Sequence, residues 1–324
     1  MRVLSTIFLI SILLFKHSIA LSADFNPALT TFENKVTSHI TSMQQQIHSM
    51  HDLSCELQMK EIKDHWFKAY QQYLAISYMD LEVINVNLLN YSFAFWPDKK
   101  NLIAKKMNQL IQLPELTADV IEQSSSPVKG FQAIEFLLFD ASQNSLNCNA
   151  LKAITENLIR NSEKIQSQLI QYPIIKPQYF IGDKQIEGLS IAFNEIINHL
   201  SSIIKKLETI TNDKINQKIL FSEAWRSQKA FSFHTQNTLY SLEYTSIFFD
   251  LFKPENKLAL QNITLTLKNQ LNALPNTYAT IYNTKQSALL FEHQATLKQY
   301  HSILTSALLS DFNITLGFNN SDGD

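Results

Sequence analysis

Gln132 and Glu135 are the side chains from which chemistry is read first in this chain, and both lie in the stretch Pro127-Val-Lys-Gly-Phe-Gln-Ala-Ile-Glu-Phe-Leu-Leu-Phe139. At i and i+3 they share one face of a helix. Glu135 is flanked by Ile134 and by Phe136, Leu137, Leu138 and Phe139, apolar residues on every side, so the helix that carries it reads as buried. A carboxylate in that setting must be tied to a basic group or to helix-end amides, bound to a metal, or protonated, because an isolated buried charge is very costly. Pro127 and the serines before it suit a helix start, and Gly130 permits close backbone approach.

The planar fork of Arg226 is a candidate partner for Glu135, or for an anionic ligand, since a guanidinium can make two parallel hydrogen bonds to a carboxylate. A solvated helix face is the other reading of Arg226, and the spacing predicts that Glu223, Trp225 and Arg226 share one helix turn. Asp98, directly after Pro97, reads as a cap for the next helix ahead of a ligand role. Asp322 and Asp324 offer oxygen ligands for a hard cation or form an acidic tail. His48 and His51 stand one helical turn apart, the spacing of a weak transition-metal pair and also of ordinary amphipathic surfaces. His234 and the Glu292-His293 pair read as structural or exposed. The chain contains no His-Glu-x-x-His zinc motif, no Gly-x-Ser-x-Gly elbow and no phosphate-binding glycine loop, which weakens the standard enzyme readings.

The elements that must position these residues are helices. Five glycines in 324 residues are too few for a protein built on tight sheet turns. Apolar residues recur at three-four spacing, as in Ile62, Trp66, Ala69, Tyr73 and Ile76, or Leu290, Leu297, Tyr300, Leu304 and Leu308. The predicted helices are 26–52, 56–92, 97–112, 114–123, 129–139, 149–171, 186–209, 214–250, 255–273 and 277–309. Residues 172–188, without periodicity and with two Pro and two Gly, mark the boundary between an N-terminal helical bundle (21–175) and a C-terminal one (186–324). Residues 1–20 read as a signal peptide: Arg2, an apolar run from Val3 to Phe15, then Ser18-Ile19-Ala20 as a cleavage site. That run is short for a membrane span, which needs about 20 apolar residues, and no later stretch is apolar enough, so no span is expected after cleavage. Without the leader, 25 of the 27 basic residues remain against all 29 acids, a balance that argues against a nucleic-acid partner. Cys55 and Cys148 read as one disulfide in an oxidising compartment or as two separate buried thiols.

The stretch Gly130-Phe-Gln-Ala-Ile-Glu135, followed by an aromatic and two leucines, resembles the Gly-x-His-x-x-Glu signature of the imelysin family. Four further blocks resemble the same family, especially its branch of periplasmic iron-regulated proteins: His65-Trp66 to Tyr73, Phe95-Trp-Pro-Asp-Lys-Lys-Asn101, Ser222-Glu-Ala-Trp-Arg-Ser227 and Leu316-Gly-Phe-Asn-Asn-Ser-Asp-Gly-Asp324. Five blocks in order cover nearly the whole chain after the leader. The resemblance implies an all-α fold of two related four-helix-bundle subdomains, a site between the halves, a place in the periplasm or cell envelope, and a role in iron uptake. Some members are classed as metallopeptidases on the signature His and Glu. Here the His position is Gln132, whose amide is a poor ligand for zinc or ferrous iron and no general base.

The resulting expectation is an exported binding protein for a metal (iron or another divalent ion) or a small anionic ligand. Its cleft would use Gly130, Gln132 and Glu135, with Glu135 as the metal ligand. Trp66, Trp96 and Trp225 would form walls, Asp98 would stand nearby, and Arg226 would balance charge. The alternatives are a metallopeptidase with other ligands and a non-catalytic envelope protein that binds a protein partner.

Overall fold

The structure, a computed structural model, describes residues 24–315 except 54, 56, 87, 99, 141–145, 212–222 and 275–285. The leader, the block ending in Asp322 and Asp324, and residues 214–222 of the helix predicted over 214–250 lie outside the described residues. Among the described residues the regular structure is helical throughout.

Helices α1 (Asn26–Asp52), α2 (Met59–Leu74), α7 (Gly130–Phe139) and α8 (Cys148–Gln168) pack together in the first half. Between α2 and α7 run four short helices, α3 (Glu82–Asn85), α4 (Asn90–Phe93), α5 (Leu102–Leu110) and α6 (Ala118–Gln123). The second half is built from α9 (Gln185–Thr211), α10 (Ala230–Ser246), α11 (Pro254–Ala273) and α12 (Gln286–Phe312). The stripes that built the sequence prediction are buried faces: Ile62, Trp66, Ala69 and Tyr73 on α2, and Leu290, Leu297, Tyr300, Leu304 and Leu308 on α12. Residues 172–188 hold only short 3₁₀ turns before α9 begins.

One apolar core runs through both halves. The Phe32 ring meets Tyr244 at 5.6 Å and Phe248 at 5.9 Å, and the Phe25 N–H donates to Gln185 Oε1 at 2.7 Å. Cys55, just after α1, is bonded to Cys148, the first residue of α8, with Cα atoms 5.7 Å apart and a separation of 93 positions in sequence.

Three predicted helices are corrected. The run 56–92 is not one helix: α2 stops at Leu74 and only α3 and α4 follow. The stop comes from the other half of the chain, because His199 Nε2 donates to the Leu74 carbonyl at 3.0 Å and the Tyr244 hydroxyl donates to the Ala75 carbonyl at 3.1 Å. Backbone acceptors that a longer helix would use are taken by buried side chains more than a hundred residues away. The helix predicted over 97–112 begins only at Leu102, after the cis Trp96-Pro97 bond and the left-handed Asn101. Glu223, Trp225 and Arg226 do not share a helix turn: residues 223–228 form turns, with Ala224 at φ 54° and Gln228 at φ 59°. Left-handed residues cannot continue a right-handed helix.

Candidate ligand-binding cleft

The interruption after α2 opens a cleft of about 550 Å³ against α9 and the 223–228 turns. Tyr73, Tyr78, Tyr91, Phe95 and Trp96 supply its aromatic surface, Asp80, Asn85 and Asn90 its polar rim, and Lys206 and Glu223 its floor. The side chains of Lys206 and Glu223 are 12% and 10% exposed, so this ion pair is largely removed from water. Lys206 Nζ donates to Glu223 Oε2 and lies 4.1 Å from the centre of the Tyr78 ring and 4.5 Å from Trp96, within cation–π range of both. Burial pushes the Lys206 ammonium below its ordinary pKa, while Glu223 pulls the other way.

Glu223 is the hub of a larger network. Its Oε1 accepts from the Tyr70 hydroxyl at 2.7 Å, and its Oε2 accepts from the Tyr78 hydroxyl at 3.1 Å. The Tyr70 oxygen in turn accepts from Gln132 Nε2, and Gln132 Oε1 accepts from the Phe95 N–H at 3.1 Å. Tyr70 is fully buried beside these carboxylates, and its phenol is pushed well above the usual range, by burial first and by Glu223 next.

Of the residues assigned to the cleft from sequence, Trp96 alone lines it. Trp66 is wholly buried, donating from Nε1 to the Phe131 carbonyl at 3.0 Å within a cluster of Tyr70, Phe139 and Phe233. It is a core residue and no wall. Trp225 stacks on Arg226 at 4.4 Å, away from the cleft lining. Asp98 accepts from the Leu102 N–H at 2.6 Å and the Ile103 N–H at 3.1 Å, the role of a cap for α5. Gly130 has φ 73°, and a Cβ there would stand 2.0 Å from the Phe93 carbonyl oxygen. Only glycine lets α7 start against the end of α4.

Arg226 does not bond to Glu135. Its Nε donates to Asp140 Oδ2 at 2.9 Å and an Nη to Asn101 Oδ1 at 2.8 Å. Asp140 follows α7 directly and so reaches the guanidinium, whereas Glu135 accepts from the Ser227 backbone N–H at 2.8 Å. His48 faces Glu163 at 3.6 Å and His51 faces Thr155 at 2.9 Å, so the two imidazoles take separate partners.

A metal held by the signature does not fit these contacts. Both ends of the Gln132 amide are engaged, and Glu135 is committed to a backbone N–H. Among the described residues no three His, Cys, Asp or Glu side chains stand together as ion ligands.

Glu135 is 1% exposed, and burial pushes its carboxyl up to about 7, against the lowering pull of Ser227 and Arg226. The folded protein therefore holds this proton more tightly than the unfolded chain, where the carboxyl titrates near 4.5. Its contribution is full below that pH and is lost as pH rises through about 7. From pH 5 to pH 8 wild type should lose about 2–3 kcal/mol from this group alone. A Glu135→Gln variant, which keeps an acceptor for Ser227, should lose that much less in urea unfolding at the two pH values. Equal losses in both proteins would show that Glu135 titrates normally. Glu195, also pushed up to about 7 by burial, is common to both and cancels.

Lys206 and Tyr78 were missed from sequence. Lys206 is one lysine of an ordinary amphipathic helix, and Tyr78 sat within what read as continuous helix. Glu223 lay inside a block that was recognised, yet its neighbour Arg226 drew the charge argument.

Four of the five blocks, far apart in sequence, thus close on one another. Tyr70 comes from the first, Phe95, Trp96 and Asn101 from the second, Gln132 and Glu135 from the third, and Glu223, Arg226 and Ser227 from the fourth. No curated protein matches the chain. Among solved structures it is similar to an imelysin-like protein from Psychrobacter arcticum 273-4, with a TM-score of 0.73 and 18% identity over 90% of this chain and 96% of that one. It is also similar to a protein described as an iron-regulated protein A precursor, from Parabacteroides distasonis ATCC 8503, with a TM-score of 0.54 and 14% identity over 87% and 91% of the two chains. At these identities the likeness is one of fold. The family model Peptidase M75, described as Imelysin, matches residues 22–247, most of the chain and all four converging blocks, and the protein therefore belongs to the imelysin family.

Proposed function

We propose that this imelysin-family protein is an exported envelope protein that binds a small anionic ligand, free or as a metal chelate, in the cleft over Lys206 and Glu223, and serves iron uptake. The observation that carries the reading is Lys206. It is the one cation among the described residues lining the cleft, largely removed from water and faced by two aromatic rings. A ligand carboxylate would share its charge in place of water, and Trp96 and Tyr78 offer flat surface to the rest of the molecule. Two features support export: the leader-like residues 1–20 and a disulfide that persists in oxidising compartments. The link to iron rests on the family resemblance and on the description of one structural relative.

Peptidase chemistry has less support, since the side chain at the signature His position is an amide engaged at both ends. The partner-binding reading has one observation in its favour. Leu88 and Tyr91, at the cleft rim, are 68% and 62% exposed.

Calorimetry and tryptophan fluorescence on the chain without residues 1–20 test the proposal, with citrate, ferric citrate and ferrous ion as probes. Saturable one-site binding of an anionic probe, lost in Lys206→Met, is expected. If all three probes leave both signals flat, the cleft is no anion site.

A further inference from the structure

His234 on α10 and His293 on α12 were read from sequence as isolated residues, yet they meet. Their Nε2 atoms stand 3.1 Å apart, with ring planes at 86°. His293 is fully buried and His234 half-buried.

The surrounding hydrogen bonds decide which nitrogens carry protons. The Thr296 hydroxyl donates to the Glu292 carbonyl at 2.9 Å, so its lone pairs are left to accept. Gln270 Nε2 donates to Thr296 Oγ1 at 3.0 Å and to Glu292 Oε1 at 3.3 Å, both acceptors. The Gln270 amide is thereby oriented with Oε1 toward His293, 3.3 Å from Nδ1. His293 must carry its hydrogen on Nδ1, which leaves Nε2 as a bare lone pair aimed at His234. An imidazole that donates from one nitrogen to an oxygen and presents the other unprotonated is the arrangement that metal-binding histidines show.

The separation also suits one ion. With metal–nitrogen bonds of about 2.0–2.1 Å, two imidazole nitrogens stand about 2.9 Å apart at a right angle and about 3.3 Å apart at the tetrahedral angle. The observed distance falls between these limits. In the metal-free protein a single hydrogen, on His234 Nε2, fills the gap. Moving it to His234 Nδ1 turns both lone pairs toward the same point.

We infer that His234 and His293 form a binding site for one divalent transition-metal ion that favours imidazole, such as Zn²⁺, Cu²⁺ or Ni²⁺, oriented by Gln270 and separate from the cleft over Lys206 and Glu223. The half-buried side of His234 leaves further coordination positions to water or to a small ligand of the ion.

The test is titration of the chelator-stripped chain without residues 1–20 with Zn²⁺ alone in the calorimeter and with Cu²⁺ alone by electron paramagnetic resonance. One ion per chain and a two-nitrogen hyperfine pattern are expected. His293→Leu and His234→Leu should each remove the site, with folding checked by circular dichroism. Gln270→Leu, which removes no ligand, should weaken binding by about 10–100-fold. Lys206→Met should leave the ion bound while abolishing citrate binding, so failure here is distinguishable from failure of the cleft proposal. The inference is overturned if the wild-type chain takes up no ion, if Gln270→Leu binds as wild type does, or if binding survives both histidine variants and disappears in His48→Ala.

Discussion

Opening the Cys55–Cys148 bridge by serine at both positions should lower the unfolding free energy by about 4–5 kcal/mol, the loop-closure entropy of some ninety residues on the chain-entropy model. The cross-linked loop spans 93 residues and contains α2 to α7, hence the Tyr70, Phe95, Trp96, Gln132 and Glu135 arms of the cleft network. In the oxidised unfolded chain these segments stay near one another; without the bridge they do not. Natural domains are stable by only about 5–15 kcal/mol, so the loss is a large share of the whole. Urea unfolding of wild type, reduced wild type and the double serine variant should show a lower midpoint and a steeper dependence on denaturant, because the released unfolded chain exposes more surface. A stability difference below about 1 kcal/mol would mean that the bridge restrains little that packing does not already hold.

Lys206→Met should cost about 3–5 kcal/mol, the usual consequence of leaving one member of a buried pair unmatched. Glu223 would keep the Tyr70 and Tyr78 hydroxyls, which should place the effect toward the lower end. The double variant Lys206→Met/Glu223→Gln removes both charges and should return to within about 1 kcal/mol of wild type, since hydrogen bonds from two phenols suit an amide oxygen as well. Ligand binding should not return with stability, because the cation is still missing. That separation distinguishes an anchoring lysine from one that only stabilises the fold. A double variant as unstable as the single one would show that Lys206 matters for its packing on Trp96 and Tyr78 rather than for its charge.

The helical class, the buried stripes of α2 and α12, the burial of Glu135 and the close approach at Gly130 were all present in the residue order. Each is a local property. A three-four spacing of apolar side chains fixes which face turns inward, an apolar run around one carboxylate fixes its surroundings, and a glycine before a buried helix marks a contact too close for a Cβ. The cap at Asp98 was readable for the same reason, since it bonds amides four and five residues on.

Tertiary structure alone decided the cleft. Nothing near Leu74 ends a helix; the end is imposed by His199 and Tyr244, whose side chains take the carbonyls of Leu74 and Ala75. Arg226 had several carboxylates within reach of argument, and it bonds to Asp140 because that residue emerges from α7 beside it while Glu135 faces the Ser227 amide. His234 and His293, 59 residues apart, meet only because α10 and α12 stand in one bundle. Periodicity reports which face of a helix is dry. Which partner a charge or an imidazole finds on that face depends on directions in space, and those are set when the helices pack.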